Sequence, residues 1–114
     1  MSECLFCKIV AGDIPSVPVA ESATALAFRD VNPQAPVHVL VVPKVHLTSA
    51  DHVRDEHAAV VGDLVLLAQR VAEQEGVRES GYRLVMNNGA DAQMTVAHLH
   101  LHVLGGRLMG WPPG

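Results

Sequence analysis

Apolar and polar residues alternate with a period of two in several segments, which is typical of half-buried β-strands. The segment VAESATALAFRD predicts one or two strands, and the β-branched segment VHVLVVP predicts a strand that ends at Pro43. YRLVMNNG predicts another strand with a turn, and AHLHLHVLGG, residues 97–106, predicts the last core strand. Strands that neighbour one another in the sequence favour an antiparallel sheet.

Two segments have a helical period instead. The one long helix is predicted from Asp55 to Glu75, where Gly76 suits a carboxy-terminal cap. Its apolar residues recur at helical spacing: Val60, Leu64, Leu67, Ala68 and Val71. LFCKIVAG predicts a short helix that ends at Gly12. One helix laid across consecutive strands indicates an α+β fold.

The length of 114 residues predicts one domain, residues 1–114. Hydrophobic residues make up 49% and charged residues 18%, an ordinary globular balance that argues against disorder. The net charge is −4 and the lysines and arginines are scattered, so no surface for nucleic acid is indicated. No apolar run approaches the length of a membrane span and the amino terminus lacks a signal-peptide pattern. A soluble cytoplasmic protein is expected.

The segment HLHLH places His98, His100 and His102 at alternate positions, and a strand would send all three rings to one face. Protonating all three adjacent imidazoles costs free energy because like charges repel, and each neutral ring needs a hydrogen-bond or ligand partner for its two nitrogens. Two functions are open for such a row. Three histidines that leave one coordination position open form a common catalytic zinc site, and the other candidate is chemistry on phosphate. The histidine row alone leaves both open, although the glycines of LGG indicate that the backbone approaches something closely.

Phosphate chemistry gives the rings distinct roles. A neutral imidazole is a competent nucleophile towards phosphorus, and His100 at the centre of the row suits that role. Such a nucleophile needs its other nitrogen held by an acceptor, usually a backbone carbonyl. His102 would point at the same phosphate and donate to a non-bridging oxygen.

Cys4 and Cys7 form a CxxC, and they are the only cysteines in the chain. In a reducing compartment this spacing indicates metal or redox chemistry more than a structural disulfide. A thioredoxin-like site is disfavoured because no βαβ pattern surrounds the motif.

The chain resembles the histidine-triad nucleotide hydrolases and transferases. HLHLHVL fits the alternating triad pattern, and three longer blocks follow the expected order: CLFCKIVAGDIP, DVNPQAPVHVLVVPKVH and HLHLHVLGGRLMGWPPG. They look like the branch that cleaves purine nucleoside phosphoramidates. The resemblance implies an antiparallel sheet of about five strands with one long and one short helix, and it implies a homodimer.

The resemblance also implies catalytic roles. It makes His100 the nucleophile, His38 a proton relay beside it, and Thr95 a hydroxyl that contacts the phosphate or the leaving group. Short polar residues before the triad can present backbone N–H groups to phosphate. Ala92, Gln93 and Met94 stand where relatives favour glycines, so the shape of this loop and the leaving-group preference stay open.

Nucleotide binding is implied for five further residues. Asp30 would accept hydrogen bonds from the ribose hydroxyls, which suits a carboxylate. Phe28 and Val31 would line the base pocket, with ordinary core packing as the alternative. Asn87 would help Thr95 shape the site. Trp111 would reach across the dimer to the partner's substrate, with packing on its own domain as the alternative.

For the cysteines, the resemblance implies a structural zinc site of Cys4, Cys7, His46 and His98. Two thiolates and two imidazoles leave no open position for catalysis, so no metal is needed in the chemical step. The alternative is a pair of free, partly buried thiols.

The sequence therefore predicts an enzyme that cleaves purine nucleoside 5′-phosphoramidates through a nucleotidyl-histidine intermediate to give the nucleoside monophosphate. Two alternatives are a dinucleoside polyphosphate hydrolase and a nucleotide-binding module with little turnover. The ending WPPG counts against the first, and the intact histidine row against the second.

Overall fold

The computed structural model describes residues 3–114. Five strands form one antiparallel sheet: Pro18–Glu21 (β1), Ala25–Arg29 (β2), Val37–Pro43 (β3), Tyr82–Val85 (β4) and Leu101–Gly105 (β5). Their order is β1-β2-β3-β5-β4. The helices are Leu5–Ala11 (α1) and Ala58–Gln74 (α2), with 3-10 turns at Ala50–His52 and Asp55–His57. The predicted α+β fold with five strands, one long helix and one short helix is confirmed.

The central strand β3 is buried along its whole length because both faces of the sheet are covered. Val39 and Val41 belong to the larger core cluster, which includes the apolar side of α2. Leu40 and Val42 alternate with them and pack in a second cluster with Phe6 of α1. The period of two therefore gives β3 one face towards α2 and one towards α1. No helix in the described residues is long and apolar enough to cross a membrane.

Both predicted carboxy-terminal caps of the helices are found, whereas one predicted helix start is not. Gly12 and Gly76 have positive φ values of 84° and 75°, as the capping predictions require. The predicted start of the long helix at Asp55 is wrong by three residues, since α2 begins at Ala58. Nδ1 of His57 accepts the backbone N–H of Arg54 at 2.9 Å, and this local bond accompanies a separate 3-10 turn.

The last strand is shorter than its alternating pattern predicts. β5 begins at Leu101, so His98 and His100 lie on the segment that leads into it. The last pair is Val41 with Leu101, although β3 continues to Pro43, and the backbone N–H of Leu99 donates to the backbone oxygen of Leu47 at 2.6 Å instead. The prediction of one strand over residues 97–106 is therefore wrong in its extent.

The two glycines at the end of β5 confirm that the backbone makes a close approach. Gly106 has a φ of 90°, and a Cβ there would lie 2.8 Å from Cβ of Pro36. A side chain at Gly106 would displace the segment that precedes β3. The chain after β5 is thereby fitted against the loop that leads to His38.

Candidate active site

A cavity of about 780 Å³ lies on the α1 side of the sheet. Six of the residues predicted for the site line it: Phe28, Asp30, Val31, Thr95, His100 and His102. The rest of the wall is mostly apolar and comes from α1, the segment after it, and the sheet: Leu5, Phe6, Ile9, Ile14, Pro15, Ser16, Val17, Arg29, Leu40 and Val96. The cavity thus joins an apolar wall to a group of imidazoles and a carboxylate.

His100 is buried and its tautomer is fixed by the backbone. Its Nδ1 atom lies 2.7 Å from the backbone oxygen of His98. A carbonyl oxygen only accepts hydrogen bonds, so Nδ1 must carry the proton in this bond. The neutral ring then keeps the lone pair on Nε2, as a nucleophile requires. The ring of Phe6 packs against it at a centroid distance of 5.1 Å and an angle of 86°.

A second hydrogen-bond chain fixes the protons of His38 and His102. The backbone N–H of Gln34 donates to Nδ1 of His38 at 3.0 Å, so the neutral ring carries its proton on Nε2. That Nε2 lies 2.9 Å from Nδ1 of His102 and donates to it. The proton of His102 is consequently on its own Nε2.

Burial keeps both of these rings neutral. Desolvation, with smaller contributions from the neighbouring His100 and His38, lowers the pKa of His102 to about 4. The pKa of His38 is also lowered by burial, although the carboxylate of Asp30 opposes the shift. At neutral pH the pair therefore presents one N–H donor from His102 and no net charge.

Asp30 lies between the cavity and the His38–His102 pair. Its Oδ1 accepts the backbone N–H of Asn32 at 2.8 Å, while its Oδ2 lies 3.4 Å from Nε2 of His38. The side chain also lines the cavity, where its remaining lone pairs can accept further donors. The carboxylate can therefore bind a ligand and influence His38 at the same time.

Phe28 and Val31 contribute to the cavity in different ways. Phe28 is buried against Phe6, at a ring distance of 5.6 Å, and forms part of the inner wall. Val31 is 100% exposed and lines the rim, so ordinary core packing does not explain it.

The remaining predicted residues divide between the cavity and other places. Thr95 lines the cavity, in a loop where Gln93 adopts a positive φ of 61°. Asn87 is half-buried and does not line the cavity. Trp111 is 82% exposed, and the guanidinium carbon of Arg83 lies 5.8 Å from the centre of its ring.

Cys4, Cys7, His46 and His98 converge as predicted, with their ligand atoms all within 4.8 Å of one another. Nδ1 of His98 lies 3.2 Å from Sγ of Cys4 and 3.2 Å from Nδ1 of His46, and Sγ of Cys7 lies 3.3 Å from Nδ1 of His46. Bonds of about 2.0 Å to nitrogen and about 2.3 Å to sulfur would put tetrahedral zinc ligands about 3.3–3.8 Å apart. The distances of 3.2–3.3 Å between these donors lie near the lower end of that range.

The buried ring of His98 is prepared for a metal by its own hydrogen bond. Nε2 donates to the backbone oxygen of Pro43 at 3.0 Å, which leaves the lone pair on Nδ1 facing the thiols. Burial lowers the pKa of His98, and a neutral ring is the form that binds metal.

The three triad histidines do not offer lone pairs to one ion. His98 directs its two nitrogens to the cysteines and to Pro43, and His100 uses Nδ1 on a carbonyl. A second group, Asp30, His38 and His102, has three potential ligand atoms close together. There Nε2 of His38 carries a proton, so that group forms a hydrogen-bond relay. The three-histidine catalytic metal site weighed from the sequence is not formed.

Sequence reasoning missed two contributors to the site. Gln34 acts through its backbone N–H, for which residue type gives no signal. Helix α1 supplies Leu5, Phe6 and Ile9 to the cavity wall, and the spacing of Leu5 and Ile9 by four residues was a usable signal of one apolar helix face.

Comparison with known proteins agrees with this geometry. The family model "HIT domain" matches residues 11–109. A maize protein named "14 kDa zinc-binding protein" is 48% identical, covering 99% of this chain and 89% of its own length. An Escherichia coli protein named "Purine nucleoside phosphoramidase" is 42% identical, covering 95% of this chain and 91% of its own. A solved HIT family hydrolase from Legionella pneumophila is 46% identical with a TM-score of 0.96, covering 98% of this chain and all of the other. The chain belongs to the HIT domain family.

Proposed function

We propose that this protein hydrolyses purine nucleoside 5′-phosphoramidates to the nucleoside monophosphate and an amine, through a nucleotidyl intermediate on His100. The observation that carries the proposal is the bond from His100 Nδ1 to the backbone oxygen of His98, which leaves Nε2 free beside a nucleotide-sized cavity. The Escherichia coli relative supports the choice of substrate by its name.

The cavity suggests how the nucleotide lies. The ribose hydroxyls donate to the carboxylate of Asp30, and the base packs between Phe28 and the exposed side chain of Val31 at the rim. This arrangement brings the phosphate to His100, His102 and Thr95, which line the same cavity. Asn87 supports the loop that carries Thr95.

In the first step, Nε2 of His100 attacks the α-phosphorus, a new P–N bond forms, and the bond from phosphorus to the amine breaks. Nε2–H of His102 donates to a non-bridging oxygen as charge develops there. The bound phosphate raises the pKa of the adjacent His38–His102 pair, which takes up a proton from water. This proton passes to the leaving amine, whose nitrogen receives the electrons of the broken bond.

In the second step, water attacks the phosphorus of the nucleotidyl-His100 adduct. The P–Nε2 bond breaks, its electrons return to Nε2, and the water proton returns to the His38–His102 pair. When the monophosphate leaves, the pair releases this proton to the solvent, so net hydrolysis restores every group of the protein.

Zinc at Cys4, Cys7, His46 and His98 would be structural, since four protein ligands complete its tetrahedron. Bound there, it would hold α1 against the segment before β5. The maize relative, named as a zinc-binding protein, supports this assignment.

We further propose that the protein forms a homodimer. The support is a group of exposed apolar side chains near the β4 edge: Leu84, Leu108 and Trp111. In that dimer Trp111 lies against the substrate of the partner subunit. The cytoplasmic location and the lack of nucleic-acid and membrane partners stay predictions from the sequence.

Denaturing mass spectrometry after brief mixing with adenosine 5′-phosphoramidate tests the function. We expect a transient nucleotidyl adduct on the peptide that contains His100, followed by release of AMP, and no adduct in His100→Ala. Diadenosine polyphosphates run in parallel should react much more slowly. Binding of nucleotide without adduct or turnover would instead show the nucleotide-binding module.

A further inference from the structure

Arg107 follows Gly105, the last residue of β5, and Gly106, and its side chain bonds the loop that precedes β3. Its Nε and Nη2 atoms lie 3.3 and 3.1 Å from the backbone oxygen of Gln34, and both donate to it. The positive φ of Gly106 and its close approach to Pro36 bring Arg107 to this position. A planar guanidinium that bonds one carbonyl with two N–H groups holds it in direction as well as in distance.

The loop has few other anchors to the rest of the fold. Residues 31–34 are exposed. Oδ1 of Asp30 accepts the N–H of Asn32, and Nε2 of Gln34 donates to the oxygen of Asn32, but both bonds stay inside the loop. In the described part of the chain, Arg107 is the side chain from a distant segment that bonds Gln34. The N–H of the same Gln34 donates to Nδ1 of His38.

We propose that Arg107 is a positioning residue, which fixes the tautomer of His38 and thereby the proton of His102. The inference rests on the proposed function for its kinetic consequence. Its structural content, the link from Arg107 through Gln34 to the two rings, is independent of the substrate.

The tautomer of His38 decides whether His102 donates or accepts. While the N–H of Gln34 points at Nδ1, the proton of His38 stays on Nε2 and His102 keeps its own proton on Nε2, towards the cavity. If the loop moves away, the proton of His38 can shift to Nδ1, and its Nε2 then accepts from Nδ1–H of His102. Nε2 of His102 would then face the anionic phosphate with a lone pair, which repels it. Loss of Arg107 therefore converts a donor into an acceptor.

The test compares Arg107→Gln and Arg107→Lys with the matched control Arg54→Gln. Arg54 also donates to backbone oxygens, those of Asp51 and Val53, but it does not line the cavity. The ¹⁵N shifts of the imidazoles report the tautomers directly in the free protein. Steady-state kinetics with adenosine 5′-phosphoramidate report the effect on turnover.

In the wild type and in Arg54→Gln we expect Nε2–H in both His38 and His102. Arg107→Gln should give a mixture of tautomers, and kcat should fall by about tenfold because acid–base assistance is lost. Adenosine affinity should change by less than about twofold, because adenosine lacks the phosphate that faces His102. Arg107→Lys should recover part of both losses, because an ammonium can make one of the two bonds.

Unchanged ¹⁵N shifts in Arg107→Gln would overturn the proposal, even if its melting temperature fell. A wild type that shows the expected tautomers and their shift on Arg107→Gln, but does not cleave phosphoramidates, would refute the proposed function and leave the positioning role intact. The spectroscopic and kinetic readouts thus separate the two failures.

Discussion

The backbone oxygen of His98 lies 2.7 Å from Nδ1 of His100, so one histidine of the triad orients the next. The side chain of the same His98 faces the cysteines with Nδ1 and Pro43 with Nε2. Its backbone therefore orients the proposed nucleophile, while its ring belongs to the candidate metal site. This division explains why three similar residues at alternate positions have separate chemistry.

Replacing His100 with alanine should abolish turnover, because the ring supplies the covalent step. We expect kcat to fall by at least about a thousandfold, whereas AMP binds within about threefold of the wild type, since His100 contributes little of the base or ribose affinity. Calorimetry with AMP and a single-turnover assay measure the two effects. A variant that turns over at a rate near that of the wild type would show that another group is the nucleophile.

Folding stability should fall in acid because His102 is buried neutral. Its pKa drops from the ordinary 6.5 to about 4 on folding, so between these values the unfolded chain binds more protons than the folded one. This contribution to the free energy of unfolding is complete above about pH 6.5 and is lost as the pH falls towards 4. His102→Gln should lose less stability over that range than the wild type. Urea unfolding at several pH values measures the difference.

The control for this prediction is His52→Gln, which removes an exposed histidine. It should keep the steep acid dependence of the wild type. Equal slopes for the wild type and His102→Gln would mean that the ring of His102 is not buried neutral in solution.

The sequence was sufficient to predict the helices and strands that have a clear hydrophobic period, and to predict the imidazoles and the carboxylate that line the site. Leu64, Leu67 and Val71 of α2 recur at helical spacing and are buried in the core, as predicted. The start of β5 was missed because the backbone N–H of Leu99 bonds the backbone oxygen of Leu47, a distant contact that the pattern around His98 does not record. Local periodicity thus located the elements, whereas a distant contact set the start of β5.

The hydrogen-bond chain from Arg107 through Gln34 to His38 could not be predicted from the sequence, because it also depends on distant contacts. The links from Arg107 to Gln34 and from Gln34 to His38 run through backbone oxygen and N–H atoms, which every residue type offers. The contact of Asp30 with His38 depends on the loop between them, which brings the two side chains to 3.4 Å. Asp30, His38 and His102 were predicted from the sequence, but Gln34 and Arg107 were not, and the proton positions needed the structure.

Asp30→Asn should weaken recognition of the ribose, because an amide oxygen is a poorer acceptor than a carboxylate. Hydrogen bonds to charged groups contribute about 1.5–3 kcal/mol, so we expect KM to rise roughly ten- to a hundredfold. The wild type should discriminate strongly against a 2′,3′-dideoxy substrate, and Asp30→Asn should lose most of that discrimination.

Asp55→Asn is the matched control, since Asp55 lies in a 3-10 turn and does not line the cavity. It should retain the preference for the ribose hydroxyls. If Asp30→Asn discriminated against the dideoxy substrate as strongly as the wild type does, another group would bind the ribose.

Protein purified without chelator should contain about one zinc ion per chain, measured by elemental analysis. The Cys4→Ser, Cys7→Ser double variant should lose the zinc and melt at a lower temperature, because α1 is no longer tied to His98. Below its melting temperature it should still cleave substrate, since no chemical step uses the metal. Activity that disappeared with zinc and returned on its addition, in a folded variant, would instead establish a catalytic metal.

The carboxy-terminal tail should govern the choice of leaving group. Trp111 is 82% exposed in the single chain, and an indole so placed gains most by packing against a partner or a ligand. Deleting residues 110–114 should therefore change the ranking of amine leaving groups and leave AMP affinity unchanged, because AMP lacks that part of the substrate. Trp111→Ala should reproduce the effect if the indole is responsible. A truncated protein with the ranking of the full-length enzyme would refute this role.

Mixed dimers can show on which subunit the indole acts. A dimer of one Trp111→Ala chain and one His100→Ala chain has a single working nucleophile, in the chain that lacks the indole. If the tail crosses the dimer, the inactive partner supplies its Trp111 to that site and the ranking of leaving groups returns to that of the wild type. If the tail packs on its own domain, the mixed dimer keeps the altered ranking of Trp111→Ala. The ranking measured in the mixed dimer therefore decides between the two positions.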